Sequence, residues 1–377
     1  MATALLADQG AAVIKVESPE GDTSRRVGPA KGDLSAAFIT VNRGKRSIAL
    51  DLKHPEARTI LTALVRQTDV LVSNFRPGVL ERLGLDRAHL QTLNPTLVQL
   101  SITGFGPDGP RADDRAYDAV IQAVAGVSAS HRDKHTGLPG LLSSTVCDKL
   151  TALTAAQALT AALFARERDG QGRHVEVSML DATLAFQWVD AMYNQVFLDD
   201  APVGFPEMGI TLKPYATADG MVAVMMPQQA EFVALCHALG RPDVAQDARF
   251  SSPQARSRHP AELRATLEPL MALQSTAALE AAGRTHGAPV GRVNERQEVL
   301  VDPQVVHNQV LVEIDHGSVG RVRLARAAAR FDGAAIRPAA AAPHLGEHGR
   351  AVLRELGFDD ALVAQWIACG VLRDPGP

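Results

Sequence analysis

One carboxylate stands where covalent chemistry could be done. In LLSSTVCDKLTALTAAQALTAALFARERDGQGRHVEVSMLDATLAF (141–186), Asp148 precedes an Ala/Leu-rich segment in which Leu150, Leu153, Ala156, Leu159 and Leu163 recur at three- to four-residue spacing. That spacing predicts a buried or half-buried helix with Asp148 in its first turn. There the free N–H groups keep a carboxylate ionised and stabilise negative charge building up beside it, as a carboxylate nucleophile attacking a carbonyl requires. A lone aspartate at such a place also serves as a plain N-cap, so the chemistry needs support from elsewhere.

Three loop motifs supply it. NRGKRSIALDLK (42–53) sets Asn42, Arg43, Lys45 and Arg46 ahead of a strand and Lys53 at its end. NFRPG (74–78) ends a strand with an amide, an aromatic ring and a guanidinium, a set able to hold a ring and a phosphate together. RAYDAVIQAVAG (115–126) puts Tyr117 and Asp118 at the start of a helix. Each taken singly fits a solvated loop, a turn or a cap.

The elements that must position these residues alternate regularly. VIKVE from Val13, SIALDL (47–52), VLVSNF (70–75), LVQLSITGF (97–105) and HVEVSML (174–180) read as strands, with helices over 55–67, 78–92 and after Asp148. Short β-branched runs between helices predict an α/β fold, a Rossmann-like large domain with a parallel sheet covered on both faces. No GxGxxG opens a helix, so NAD is not implied. Ligands in such sheets bind beyond the carboxyl ends of strands, where the loaded loops lie.

Further along, residues 196–212 read as a Pro/Gly-rich linker and 213–295 as a small inserted α/β domain. The latter opens with a hairpin in YATADGMVAVMM (215–226), followed by helices over 230–239 and on to about 283. Residues 296–336 read as an extended return linker with strand signals at VLVEI and VRLA, and 337–377 as a C-terminal helical part of the large domain with a final helix at 347–357. With 1–195 as the large domain, the 377 residues make two folded units.

Bulk properties narrow the classes. Hydrophobic residues make up 46% and charged residues 21%, with a net charge of −4, which gives no electrostatic case for nucleic acid or membrane surface. Cys147, Cys236 and Cys369 lack CxxC spacing, so no metal site or disulfide framework is expected, and a reducing cytoplasm is the expected compartment. No apolar run reaches the length of a membrane span.

Taken together, NRGKRSIALDLK, NFRPGVLERLG, GFGPDGP, YDAVIQAVAG, the Asp148 segment with GQGRHVEVSMLDA, and PHLGEHGRAVLRELG (343–357) resemble the class III CoA-transferase family, also called CaiB/BaiF or formyl-CoA transferase-like. The resemblance covers nearly the whole chain. It implies a CoA-transferase in which both chain ends build the large CoA-binding domain and two subunits interlock as a homodimer. No permanent cofactor is implied; coenzyme A is the substrate carrier, and the partners are an acyl-CoA and a carboxylic acid. Asp148 takes the position of the catalytic aspartate, passing through aspartyl anhydride and aspartyl-CoA thioester intermediates.

The implied CoA-binding set is Leu50, Asp51, Leu52 and Lys53 at the adenosine end, then Asn74, Phe75, Arg76 and Arg82, then Arg115, Ala116, Tyr117 and Asp118 near the pantetheine and thioester. Some relatives carry an arginine for CoA after the residue matching Glu17; Ser18 stands there, leaving Arg25 or Arg26 as substitutes. The acyl pocket is expected partly from a partner's small domain, with Met225, Met226, Gln228 and Gln229 as candidates. Relatives open with one more strand and an LAGP-type loop. The expectation is therefore a chain starting after both through a start-site difference, with exposed sheet edges.

The alternatives are an α-methylacyl-CoA racemase-like isomerase and a catalytically impaired CoA-binding protein. Racemases set a histidine against the same aspartate. Tyr117 stands at that position, and a phenol of ordinary pKa is a poor acid/base near neutral pH. His131 and His135, in the next loop, are expected to be exposed.

Overall fold

The computed structural model describes residues 1–133, 136–199, 213–338 and 340–376. Two units partition the chain. The first comprises Met1–Ala125, Leu142–Phe186 and Pro303–Pro377, the second Gly126–Leu141 and Gln187–Asp302.

The first unit is α/β with parallel strands. Val13–Glu17 (β1) runs parallel to Lys45–Leu50 (β2), while Val70–Ser73 (β3), Val98–Thr103 (β4) and Arg173–Ser178 (β5) form a second, wholly parallel sheet in the order β3-β4-β5. β2 ends two residues earlier than SIALDL suggests, because the chain turns there. The Asp51 N–H reaches the Val371 carbonyl at 2.9 Å and the Asp51 carboxylate accepts the Lys53 N–H at 3.0 Å. A tight approach explains one glycine of GQGRH: a Cβ on Gly172 would lie 2.4 Å from the Leu97 carbonyl oxygen, so only glycine lets β5 enter beside β4.

Each sheet has its own core. Ile48 and Leu50 of β2 pack with Ile60, Leu61 and Val65 from the helix Ala57–Arg66 and with Leu353, Val363 and Trp366 from the chain's end. Val98, Leu100 and Val177 pack under Ala152, Ala155, Leu159 and Ala162 of the long helix Val146–Asp169. Burying one leucine completely contributes about 1.5–3 kcal/mol, so residues such as Leu100 and Leu159 fix that helix, and Asp148 with it, on the sheet. Of the expected apolar row, Leu159 is buried, Leu150, Ala156 and Leu163 are half-buried, and Leu153 alone is exposed. Leu153 and Phe164 point outward, 52% and 65% exposed, and the alanine-rich side lies inward because small residues let the helix sit close.

Other departures have local causes. The helix expected over 78–92 is two, Val79–Arg82 and Arg87–Leu93, because Gly84 adopts φ 70 and Asp86 caps the second through the His89 N–H at 3.0 Å. The segment after 296 begins with short helices, Arg296–Val299 and Pro303–Asn308, before the antiparallel pair Leu311–Asp315 and Arg321–Ala325. That hairpin packs Val312, Val319 and Leu324 on Leu34, Phe38 and Ile39. After Gly349–Glu355 comes a further helix, Asp360–Ala368, and then Leu372–Arg373 pairs antiparallel with β2.

In the second unit, Tyr215–Ala216, Met221–Val224 and Val290–Arg292 form an antiparallel sheet around the turn at Asp219-Gly220. Its core centres on Phe232, Phe250, Leu267 and Met271. Of the linker 196–212, residues 200–212 lie outside the described residues, as does His135.

Candidate active site

Asp148 is the third residue of its helix. The cap position belongs to Thr145, whose side chain makes no capping bond, so the Asp148 carboxylate is not used up as an N-cap. The capping is done from outside. Asp118, 7% exposed on the helix Asp118–Val124, accepts the Asp148 backbone N–H on Oδ2 at 3.1 Å. Its Oδ1 accepts from Gln122 Nε2 at 2.5 Å.

Gln122 is itself buried and ties down the approach to Asp148. Its Nε2 also donates to the carbonyls of Ser144 (3.2 Å) and Leu142 (3.4 Å), and its Oε1 accepts the Leu142 N–H at 2.9 Å. A single amide therefore fixes the turn before the helix and orients the Asp118 carboxylate. Sequence reasoning singled out Asp118 but missed Gln122, whose i+4 spacing from Asp118 was the available signal.

The Asp148 carboxyl is exposed, yet crowding out of water pushes its pKa above the usual carboxylate value, and the Asp118 charge pushes it the same way against the pull of Lys149. A more basic carboxylate is a better nucleophile once ionised. The neighbouring Cys147 is the opposite case. It is fully buried, burial raises its thiol pKa, and the two aspartates raise it further against a hydrogen bond with Thr183. A buried thiol with a raised pKa is a poor nucleophile near neutral pH.

A cleft of about 560 Å³ lies at the end of β3, lined by Asn74, Phe75, Arg76, Pro77, Val79, Arg82 and Asp113. Phe75 is 44% exposed and lines the cleft together with Arg76 and Arg82. Four expected CoA ligands, Asn74, Phe75, Arg76 and Arg82, thus come together. Asp113, which sequence reasoning did not name, brings the loop leading to Asp118 to the same wall.

The remaining expected residues fall elsewhere. Leu50 is entirely within the core, Asp51 and Leu52 are half-buried, and Lys53 is exposed. Arg115 and Tyr117 are exposed, and Ala116 packs where a Gly104 side chain would stand, 2.1 Å from a Cβ there, which locks this loop onto the end of β4. Arg25 is not an open cation. It is 4% exposed and its guanidinium is shared by Glu17 (2.7 and 2.8 Å), Asp33 (3.0 Å) and the Pro343 carbonyl (3.3 Å). Arg26 donates to the Glu20 carbonyl at 3.2 Å. In the second unit, buried Arg256 holds the Met226 and Gln228 carbonyls and the Gln229 side chain, leaving Met225 exposed.

Among the described residues there is no group of three or more metal-ligating side chains, and no helix is long and apolar enough to cross a membrane.

The family model described as CoA-transferase family III matches residues 1–349. The chain is 35% identical to a succinate–glutarate CoA-transferase of Agrobacterium fabrum over 93% of this chain and 90% of the relative. It is 34% identical to an acetyl-CoA:oxalate CoA-transferase of Acetobacter aceti over 95% and 92%. Among solved structures it is similar to a CaiB/BaiF family protein of Brucella suis (TM-score 0.78, 32% identity, 94% of each chain). It is also similar to Rv3272 of Mycobacterium tuberculosis (TM-score 0.82, 28% identity, 93% of this chain and 94% of that one).

Proposed function

The chain belongs to CoA-transferase family III, enzymes that move coenzyme A between an acyl thioester and a carboxylic acid, and from that premise we propose that Asp148 is its nucleophile. The observation that supports this is the Asp118 cap. An inner carboxylate satisfies the helix start, which leaves the outer one exposed, uncommitted to capping and more basic than usual.

The proposed cycle is covalent. Asp148 attacks the acyl-CoA carbonyl to give a mixed anhydride and CoA thiolate; the thiolate attacks the aspartyl carbonyl, releases the acid and leaves an aspartyl-CoA thioester. An acceptor carboxylate then attacks that thioester, and the steps run in reverse. Each step replaces one difficult exchange by easier ones. The positive end of the Asp148 helix dipole favours the negative charge that develops in each tetrahedral state.

CoA would lie with its phosphates against Arg76 and Arg82, a ring on Phe75 and its amides near Asn74, with Lys53, Asp51 and Leu52 toward the adenosine end and Arg115 to Asp118 toward the thioester. Leu50 and Arg25 would act on the fold rather than on CoA, by core packing and by the ion pair with Glu17. A dicarboxylate is the proposed acid class, supported by relatives named for succinate, glutarate and oxalate. The outward Leu153 and Phe164 suit a subunit interface, in keeping with the interlocked homodimer the family resemblance implies, in which a large domain is built by both chain ends and a smaller one is inserted. The unpaired cysteines suit a cytoplasmic enzyme.

The test is exchange of labelled acid into acyl-CoA. Asp148→Ala should abolish it, and exchange at the native rate would exclude Asp148.

A further inference from the structure

Away from Asp148, three stretches of the first unit bring a carboxylate, an imidazole and a hydroxyl into line. Asp33 lies in the turn between Ala30–Lys31 and Leu34–Ser35, Ser318 in the turn of the 311–325 hairpin, and His344 in PHLGEHG. His344 Nδ1 is 2.6 Å from Asp33 Oδ1, and Ser318 Oγ is 2.7 Å from His344 Nε2.

This order fixes the proton positions. Asp33 Oδ2 already accepts from Arg25 (3.0 Å) and from the Leu345 N–H (2.8 Å). Burial alone would raise the Asp33 pKa, but hydrogen bonds from His344 and Leu345 and the nearby positive charges hold it below the usual carboxylate value. An ionised carboxylate only accepts, so Nδ1 donates to Asp33, and in the neutral imidazole Nε2 is the acceptor that faces the serine hydroxyl.

The frame around the three is built. His316, 8% exposed, packs edge-on to His344 with ring centroids 6.2 Å apart, its Nδ1 3.5 Å from Ser318 Oγ. Its Nε2 is buried and unpartnered among the described residues. Lys31 Nζ holds the Val319 carbonyl at 2.6 Å, clamping the hairpin turn to the turn that carries Asp33. Ser318 itself is exposed. Each element of a nucleophile, base and orienter is therefore supplied by a separate, tethered loop.

We propose that Ser318, His344 and Asp33 form a second acyl-transfer site that acts on activated esters and thioesters independently of Asp148. Ser318 Oγ bonds to the acyl carbon as its proton passes to His344 Nε2. The bond to the alcohol or thiol breaks, and the leaving group departs with that proton. A water molecule, losing a proton to the same Nε2, then releases the carboxylic acid and restores the hydroxyl. Ester or thioester plus water becomes acid plus alcohol or thiol, so the balance needs no further reactant. Asp33 acts as a positioning residue.

The experiment uses the full chain with a fluorophosphonate probe, followed by peptide mass spectrometry, and in parallel 4-nitrophenyl acetate hydrolysis as a function of pH. The expected result is phosphonylation of Ser318 with loss of fluoride, abolished in Ser318→Ala. The rate should fall about 10²-fold in both His344→Ala and His344→Gln, with partial rescue of His344→Ala by imidazole. Ser318→Ala should leave CoA exchange unchanged, which separates this site from the Asp148 reading. An unlabelled Ser318 in the wild-type chain, or labelling at equal rates in the wild type and both His344 variants, would overturn the proposal.

Discussion

The backbone N–H of Asp148 donates to the buried carboxylate of Asp118 at 3.1 Å, so two acidic residues share one helix start and divide its duties. Asp118 satisfies the backbone while its charge helps to hold the Asp148 pKa above the usual value. Replacing Asp118 by Asn keeps the shape and removes the charge, so the Asp148 pKa should fall. Because transfer needs ionised Asp148, the acid limb of the kcat/KM profile should move to lower pH. A profile unmoved by Asp118→Asn would show that the two carboxylates are not coupled.

Gln122 connects Asp118 to the turn at 142–144 through four hydrogen bonds. Gln122→Ala removes these bonds and leaves the buried Asp118 Oδ1 without its donor, at a cost of about 1–3 kcal/mol in denaturant unfolding. Since the turn sets the direction of Asp148, kcat should fall more than KM for acyl-CoA rises.

Arg76 and Arg82 line the same cleft of about 560 Å³ as the exposed Phe75. Each Ala substitution should raise KM for acyl-CoA with little change in kcat. The size expected for one lost charge-assisted hydrogen bond is about 1.5–3 kcal/mol, roughly 10- to 100-fold. Steady-state kinetics with CoA and dephospho-CoA thioesters show which arginine reads the terminal phosphate. The arginine whose loss leaves the dephospho substrate unaffected is the one.

Arg25 and Glu17 make a two-point ion pair at 2.7 and 2.8 Å, both nearly removed from water. Burial would raise the Glu17 pKa, but hydrogen bonds from Arg25 and Ser47 outweigh it and leave it lowered. A lowered folded value means that Glu17 contributes stability above its unfolded pKa of about 4.3 and loses it as pH falls through the folded value. Acid unfolding should therefore shift to higher pH in Arg25→Ala, with about 3–5 kcal/mol lost at pH 7. KM for acyl-CoA of the folded fraction should stay within twofold or so of the wild type, the loss lying in stability rather than binding.

Much of this was legible in the chain. β1, β3, β4 and β5 lie close to where the β-branched runs place them, because buried parallel strands need those residues on both faces. Asp148 and Asp118 both fall in first turns, as their spacing from apolar residues implied. The misses have physical reasons. On the Asp148 helix the expected row holds at Leu159 and in part at Leu150, Ala156 and Leu163, but Leu153 faces outward and Ala152, Ala155 and Ala162 lie deepest, because small residues let the helix sit close and leave little trace in an apolar period. Leu372–Arg373 is too short to show a period of two. Arg25 reads as a free cation in ESPEGDTSR, and only the return of that loop onto Glu17 and Asp33 reveals it as a tie. The alignment of Ser318 with His344 joins residues 26 apart across a hairpin, a relation no local pattern encodes.

The most direct test of the central claim is mass spectrometry of the protein after incubation with an acyl-CoA, with and without hydroxylamine. Added CoA or acyl mass is expected on the peptide that holds Asp148, converted to a hydroxamate at Asp148 by hydroxylamine. An unmodified Asp148 peptide in a sample that is actively exchanging acid into the thioester would contradict it.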